Sequence, residues 1–223
     1  MLRCLLVGYL FVVSTSPCFA GAWPREKGTA FVATDFVVSE QSDGEHQSEQ
    51  ALYLEYGATE KLTLGLSVSY NPSSSAEGHV FLRFPLANKE RPSVTALEFG
   101  LGAKSVDAVT YDTFLKTGLS WGRGVELYDK NGWINVDNVL LWDVDAGNHR
   151  LKVDATLGLN LTERIKVLGQ SFIEVSQTSE SLTLMPSVVV GFKSGKTNLM
   201  VGLETKFGDG ARKAVKFGLW NEF

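Results

Sequence analysis

The feature that most constrains this chain is an alternation of apolar with small or polar residues that recurs along nearly its whole length. It is clearest in residues 62–70, where the apolar positions are Leu62, Leu64, Leu66, Val68 and Tyr70. A period of two places successive side chains on opposite faces of a β-strand. Similar segments recur up to Phe223, and no segment shows the period of an amphipathic helix. The pattern therefore predicts an all-β protein.

The alternating segments predict an up-and-down meander of about twelve strands, each of roughly 9–12 residues, which suits a tilted transmembrane strand. About ten strands are the alternative, because some short loops could be kinks within longer strands. An even number places both chain ends on one side of the membrane. If that side is the periplasm, the tight turns at residues 59–61, 162–164 and 194–196 are periplasmic too. Residues 40–49 and 71–76 would then form longer exterior loops.

The second face of the strands distinguishes a membrane barrel from a soluble sandwich. It is rich in glycine, at Gly57, Gly65, Gly100, Gly102, Gly118, Gly158, Gly202 and Gly218. Glycine weakens a strand unless curvature or a close approach requires it, and the inner wall of a narrow barrel is tightly curved. A lipid-exposed sheet edge would leave backbone groups unpaired, so the first and last strands must join. We predict a closed antiparallel transmembrane β-barrel over residues 21–223.

Charged residues on the same face are the candidate lumen-lining residues. They are Glu55, Arg83, Glu98, Lys116, Asp137, Lys152, Asp154, Glu204 and Lys216. Their signs are mixed, and the alternation suggests cross-strand pairs of Glu98 with Lys116 and of Glu55 with Arg83. Such pairs could line an open conduit, or they could fill the lumen and leave a purely structural barrel.

Residues 1–20 have the composition of a signal peptide. A basic residue precedes a short apolar run, and small residues lead to Ala20, where cleavage would leave Gly21 as the first residue. The apolar run is shorter than the roughly 20 residues of a membrane-spanning helix. Both cysteines, Cys4 and Cys18, lie in this leader. We therefore expect the exported barrel to carry no thiol, disulfide or cysteine-based metal site.

The closing segment and the overall pattern support a resemblance. The leader, the uniform meander and the terminal Leu219-Trp220-Asn221-Glu222-Phe223 resemble Gram-negative outer-membrane β-barrels. Residues 21–28 and the turn at residues 56–62 are similar to those of proteobacterial barrels usually described as transporters. The resemblance implies an outer-membrane location and contact with outer-membrane lipids. It also implies recognition of the last strand by the barrel-insertion machinery, through Phe217, Leu219 and Phe223.

Three short motifs suggest chemistry that their context does not support. Residues 118–122 match the G-x-S-x-G pattern, but Ser120 lies within an alternating strand that no helix follows. Residues 195–197 are similar to the end of a phosphate-binding loop, yet a strand follows, so we expect a hairpin turn. His46 and Ser48 would suit a lipid hydrolase, but they lie in a predicted flexible loop without a suitably placed Asn. We predict no catalytic, cofactor or metal site.

Composition and pattern together narrow the function classes. The net charge of −4 argues against a nucleic-acid partner. A closed barrel with a polar inner face encloses a polar lumen, which favours a small pore or transporter for a small solute and argues against an enzyme. The alternatives are a structural or adhesive barrel with a filled lumen and, less favoured, an outer-membrane lipid hydrolase.

Overall fold

The fold is given by a computed structural model that describes residues 21–41, 44–72, 75–86, 93–105, 110–193 and 195–223. The predicted leader, residues 1–20, lies outside these ranges. Within them, no helix is long and apolar enough to cross a membrane. The described chain is built of β-strands and short connections, as the alternation predicts.

The described residues form twelve strands. In chain order they are β1 (Ala30–Gln41), β2 (His46–Thr59), β3 (Leu62–Asn71), β4 (Ser75–Pro85), β5 (Ser93–Ser105), β6 (Tyr111–Leu127), β7 (Lys130–Asp143), β8 (His149–Asn160), β9 (Ile165–Ser176), β10 (Glu180–Gly191), β11 (Thr197–Gly208) and β12 (Arg212–Glu222). Each strand pairs with the next, and β1 pairs with β12, so the sheet closes on itself. The predicted closed barrel of twelve strands is confirmed, and the alternative strand number is wrong.

The seam that closes the barrel lies between β1 and β12. Its antiparallel ladder begins with Phe31 opposite Glu222. Just outside it, the Ala30 amide donates to the Phe223 carbonyl at 3.1 Å, and the Phe223 amide donates to the Ala30 carbonyl at 2.9 Å. The sheet therefore presents no open edge strand along this seam, as a lipid environment requires.

Exposure alternates along the strands in the way that a membrane barrel requires. In β4, Val80 and Leu82 are 56% and 42% exposed, whereas Phe81 and Arg83 are each 3% exposed. Leu, Val and Phe side chains make up most of the exposed large hydrophobic residues. The outer surface is therefore apolar, and charged and small residues lie inside. In a soluble protein the apolar residues lie inside and the charged residues outside.

The two ends of the barrel carry different connections. The terminal end, where β1 begins and β12 ends, has connections at residues 60–61, 86–92, 128–129, 161–164 and 192–196. The opposite, distal end has connections at residues 42–45, 72–74, 106–110, 144–148, 177–179 and 209–211. Each strand therefore runs the length of the barrel, and short connections join neighbouring strands at both ends.

The expectation of longer loops at the distal end is wrong. Residues 40–49 were expected as a loop, but β1 continues to Gln41 and β2 begins at His46. Glu40 lies opposite His46 in the ladder between them. In the expected loop 71–76, β3 likewise continues to Asn71 and β4 begins at Ser75. Polar side chains do not end a strand where the backbone ladder continues, and strand preference depends strongly on this context.

The turn between β6 and β7 is the tightest kind of hairpin connection. Only Tyr128 and Asp129 separate the two strands. Both have positive φ, at 49° and 57°, as a two-residue type I′ hairpin requires. Neither residue is glycine or asparagine, so the usual signal of such a turn is missing from the sequence.

Candidate functional site

The terminal end of the lumen is occupied by the chain's own residues 21–28, which we call the N-terminal plug. Ala22 is fully buried, at 0% exposure. Its amide donates to Asn135 Oδ1 in β7 at 3.1 Å, and the Arg25 amide donates to Thr63 Oγ1 in β3 at 3.0 Å. Because β3 and β7 lie on different sides of the ring, the plug spans the lumen.

Small residues on the wall make room for the plug. A Cβ added to Gly57 would lie 2.0 Å from the Glu26 carbonyl oxygen, and one added to Gly122 would lie 2.5 Å from the Trp23 ring. Trp23 also packs against a buried cluster on the wall, formed by Trp133, Leu168, Val189 and Met200. The close approach of the plug therefore requires glycine at two wall positions.

A row of buried charges extends from the plug along the inner wall. We call Arg25, Glu55, Arg83, Glu98 and Lys116 the charge ladder, because acids and bases alternate along it. Arg25 Nε lies 2.5 Å from Glu55 Oε2, and the Arg83 guanidinium bridges Glu55 and Glu98. Lys116 Nζ lies 2.5 Å from Glu98 Oε1. Both ion pairs that the alternation suggested are therefore present.

Each charge of the ladder has a partner of opposite sign, and aromatic groups pack against the ladder. The Tyr53 hydroxyl donates to Glu55 Oε1 at 2.5 Å, and Arg83 Nη2 donates to the Tyr53 oxygen at 3.1 Å. The Phe81 ring lies 4.7 Å from Lys116 Nζ. Buried charges are tolerated when each has partners of opposite sign and further hydrogen bonds. The ladder holds one wall of the lumen rigid and ties it to the plug through Arg25.

Asp137 and Asp154 are placed differently from the other predicted lumen residues. They lie directly opposite each other in β7 and β8. Asn135 Nδ2 donates to Asp137 Oδ2 at 2.5 Å. The Oδ1 atoms of both aspartates are buried and accept no hydrogen bond from the residues that the structure describes. The sequence suggested mixed, mutually neutralising charges, but this pair has the same sign on both strands.

The remaining predicted lumen residues form separate ion pairs. Lys216 Nζ lies 2.8 Å from Asp35 Oδ2, and Lys152 Nζ lies 3.7 Å from Glu174 Oε2. Glu204 Oε1 accepts from Arg212 at 2.9 Å. The last two pairs lie toward the distal end, away from the charge ladder. The structure thus divides the nine candidates among a buried ladder, an aspartate pair and three local pairs.

Two spaces in the lumen remain open. A cavity of about 390 Å³ lies above the plug and is lined by Gly21, Asp35, Glu55, Asp137 and Asp154 among others. A wider vestibule of about 610 Å³ lies at the distal end. Arg150 is central to its wall, at 2.6 Å from Glu77 and 3.4 Å from Glu174. The plug forms the floor of the inner cavity, because Gly21 is part of its lining.

Sequence reasoning missed the plug and the groups that hold it. Residues 21–28 have no alternation, so they appeared only as a lead-in to β1. Arg25 and Trp23 were not predicted to have a role. An Arg or Trp side chain that becomes buried needs polar or packing partners, so both residues could have indicated contacts with the barrel. Arg150, Tyr53 and His79 were also missed as lumen residues. His79 and Tyr53 follow the same alternation as the predicted lumen residues, so the signal was available.

The motif-like stretches have no catalytic geometry. Ser120 is 5% exposed within β6 and faces the lumen. Gly195, with φ of +73°, lies in the connection between β10 and β11, as a hairpin turn requires; Ser194 beside it lies outside the described residues. His46 and Ser48 belong to β2 rather than to a flexible loop, so that expectation is wrong. In the described ranges, no group of three or more His, Cys, Asp or Glu side chains could hold a metal ion.

The three residues of the expected insertion signal lie on the outer surface of the last strand and its end. Phe217, Leu219 and Phe223 are 45%, 39% and 68% exposed. Their side chains point away from the lumen and from the plug. They are available to a membrane or to a protein that receives the last strand.

The architecture matches that of solved outer-membrane proteins. The KdgM porin aligns with a TM-score of 0.63 at 9% identity, covering 86% of this chain and 99% of that one. The COG4313 outer membrane channel from Pseudomonas putida F1 aligns with a TM-score of 0.58 at 12% identity, covering 91% and 98%. The Acinetobacter baumannii outer membrane protein Omp33 aligns with a TM-score of 0.51 at 8% identity, covering 89% and 99%.

These similarities concern the fold. Neither a protein-family model nor a curated protein sequence matches the chain. The chain has the barrel fold of Gram-negative outer-membrane proteins, as the sequence resemblance implied. Two of these structures are described as a porin and an outer-membrane channel.

Proposed function

We propose that this protein is an outer-membrane pore for small solutes whose lumen is closed at rest by the N-terminal plug. The observation that carries the proposal is a lumenal cavity of about 390 Å³, lined by charged and apolar wall residues and by Gly21 of the plug. A wall-filled barrel would have no such space. The solved porins and channels that share the fold add support.

The membrane location and orientation belong to the same proposal. The apolar outer surface suits contact with lipid hydrocarbon, and the terminal end would face the periplasm. Residues 1–20 would direct export and would then be removed after Ala20. The charged distal vestibule would then be the outer entrance, and the inner cavity would be reached from it.

A structural or adhesive barrel is the second candidate. The charge ladder supports it, because these buried ion pairs occupy part of the lumen and fix the wall. The plug adds further material at the terminal end. The two candidates differ in one property, which is whether movement of the plug opens a continuous path.

A disulfide between plug and wall tests this property. The Cβ of Ala22 lies 3.0 Å from a Cβ built on Gly122, close to the roughly 3.5–4.5 Å of a disulfide. An Ala22→Cys, Gly122→Cys variant needs Trp23→Ala as well, because a Cβ on Gly122 would lie 2.5 Å from the Trp23 ring. This triple variant can lock the plug when oxidised. The matched control is Trp23→Ala, Ala22→Ser, Gly122→Ser, which adds similar bulk without a bond.

The readout is single-channel conductance of the full chain in planar bilayers. We expect the oxidised variant to open at least about tenfold less often than the same protein after reduction, since the bond prevents plug movement. The serine variant should not respond to oxidant. If deletion of residues 21–27 also gives no discrete conductance, the pore is excluded and the structural barrel is favoured.

A further inference from the structure

The Asp137–Asp154 pair places like charges opposite each other on the inner wall. Their Cα atoms are direct partners across β7 and β8, and both side chains line the inner cavity. Like charges in this relation destabilise a sheet. One buried oxygen of each carboxylate also lacks a hydrogen bond from any described residue. A proton, a cation or additional hydrogen-bond donors would stabilise this pair, and Ser120 lies opposite Asp137 in the ladder between β6 and β7.

The cationic side chains nearby have other partners. Lys116 Nζ lies 2.5 Å from Glu98 and 2.9 Å from His79 Nε2. Arg83 is bound by Glu55 and Glu98. Lys152, in the same strand as Asp154, points to Glu174 at 3.7 Å. In the described part of the chain, no ion pair joins a Lys or Arg to Asp137 or Asp154 within 4.0 Å.

The first residue of the plug lies against this pair. A Cβ built on Gly21 would be 2.1 and 2.3 Å from the two Asp137 oxygens, so its Cα touches the carboxylate. The nitrogen of Gly21 is one bond, about 1.46 Å, from that Cα. Asn135 fixes both partners, because its Oδ1 accepts from the Ala22 amide and its Nδ2 donates to Asp137.

The identity of residue 21 fits the same contact. Any side chain there would overlap the Asp137 carboxylate. Gly21 also has a φ of +62°, in the left-handed region that favours glycine. With glycine at this position, no side chain separates the backbone from the Asp137 carboxylate.

We propose that the α-ammonium group of Gly21, released by removal of the leader, binds Asp137 and Asp154 and latches the N-terminal plug in the lumen. The proposal rests on the proposed cleavage after Ala20 and deepens the proposed gating. A signal peptidase hydrolyses the Ala20–Gly21 peptide bond with one water molecule. The hydroxyl remains on the Ala20 carboxyl group, and the Gly21 amine takes up a proton from solvent.

Cleavage changes the donor at this position in two ways. Before it, the Gly21 nitrogen is a neutral amide with one N–H. After it, the nitrogen carries a positive charge and three N–H donors. Three donors allow the ammonium group to pair with one carboxylate and to donate to a second one. The latch therefore forms only in the processed protein, so closure of the lumen follows export.

The test measures the reactivity of the N-terminal amine in the full protein purified from outer membranes. Mass spectrometry first identifies the N-terminal residue. Limited reductive methylation at neutral pH then compares the folded protein with the same protein unfolded in denaturant. A paired, buried ammonium should react at least about tenfold more slowly in the folded protein, because the unprotonated amine is the reactive form.

Two variants distinguish pairing of the N-terminal amine with Asp137 from simple burial of that amine. Asp137→Asn should raise the reaction rate of the folded protein several-fold. Asp35→Asn removes another carboxylate that lines the same cavity, but Asp35 is paired with Lys216 at 2.8 Å. This control should leave the N-terminal amine as slow as in the wild-type protein.

Three results would overturn the latch. They are an N-terminal residue other than Gly21, an equal rate in folded and unfolded wild-type protein, and equal effects of Asp137→Asn and Asp35→Asn. The wild-type comparison stands even if a variant fails to fold. Labelling does not depend on conduction, so a protected amine in a barrel without conductance would remove the pore and retain the latch.

Discussion

Phe81 lies directly opposite Gly65 in the ladder between β3 and β4, and its ring covers the bare Cα of that glycine. A Cβ on Gly65 would lie 1.9 Å from Phe81 Cζ. The same arrangement joins Trp133 to Gly158, where the corresponding distance is 2.2 Å. Aromatic rings thus lie along the inner wall instead of crossing the lumen, which keeps the central cavity open.

The first prediction concerns the contact between the Phe81 ring and Gly65. Gly65→Ala should lower the free energy of unfolding by about 1–3 kcal/mol, because the new methyl group forces the Phe81 ring off its site. Gly169→Ala is the matched control, since a Cβ there has nothing within 4 Å. It should be neutral or stabilising by up to about 1 kcal/mol. Urea unfolding in lipid vesicles measures both, and equal losses would exclude the steric explanation.

The second prediction concerns the buried arginine of the charge ladder. Arg83→Met leaves Glu55 and Glu98 short of their shared partner and should cost about 3–5 kcal/mol of folding free energy. Arg150 offers a close control, because it also bridges two glutamates but its side chain is 19% exposed, against 4% for Arg83. Arg150→Met should cost less than Arg83→Met, because its partners are more exposed to water and Glu174 keeps Lys152 at 3.7 Å. A reversed order in urea unfolding would contradict this account of the ladder.

The third prediction concerns ion selectivity in the open state. When the plug leaves, Asp137 and Asp154 remain as unpaired negative charges on the lumen wall. We expect cations to be preferred, and Asp137→Asn to lower the cation-to-anion permeability ratio by about twofold or more. Glu163→Gln, in the exposed connection at residues 161–164, removes a charge outside the lumen and should have little effect. Reversal potentials under a salt gradient provide the measurement.

The fourth prediction separates assembly from stability at the last residue. Phe223 closes the seam through backbone hydrogen bonds, which do not need its ring. Phe223→Ala should therefore leave the refolded barrel within about 0.5 kcal/mol of the wild-type protein. If the insertion machinery reads the ring, the amount in the outer membrane should nevertheless fall several-fold. Leu203→Ala is the control, because Leu203 is 61% exposed on the same outer surface. Equal loss in both variants would remove Phe223 from the signal.

The barrel itself could be predicted from the sequence because its cause is local. The alternation in β3 or β8 determines which side chains face lipid, and closure follows from the need to pair every edge. The Glu98–Lys116 ion pair of the charge ladder also follows, since the two residues lie on the same face of adjacent strands. The strand ends were less predictable, because polar residues such as His46 continue the ladder beyond the apolar belt.

The plug could not be predicted, because its position depends on contacts between distant residues. Ala22 reaches Asn135 and Arg25 reaches Glu55 only after the ring has formed. The sites that admit the plug, Gly57 and Gly122, look like any other glycine of the inner face. The alternation does not distinguish a glycine that permits strand curvature from one that leaves room for the plug.

The seam has a consequence for biogenesis. Phe31 meets Glu222, so the contact that completes the ring joins residues from almost opposite ends of the polypeptide. Contacts of such long separation form slowly. A chain that lacks its final strand would expose two bare edges and be open to aggregation. A truncated chain therefore cannot close the barrel. Closure of the seam distinguishes complete from incomplete molecules at the membrane.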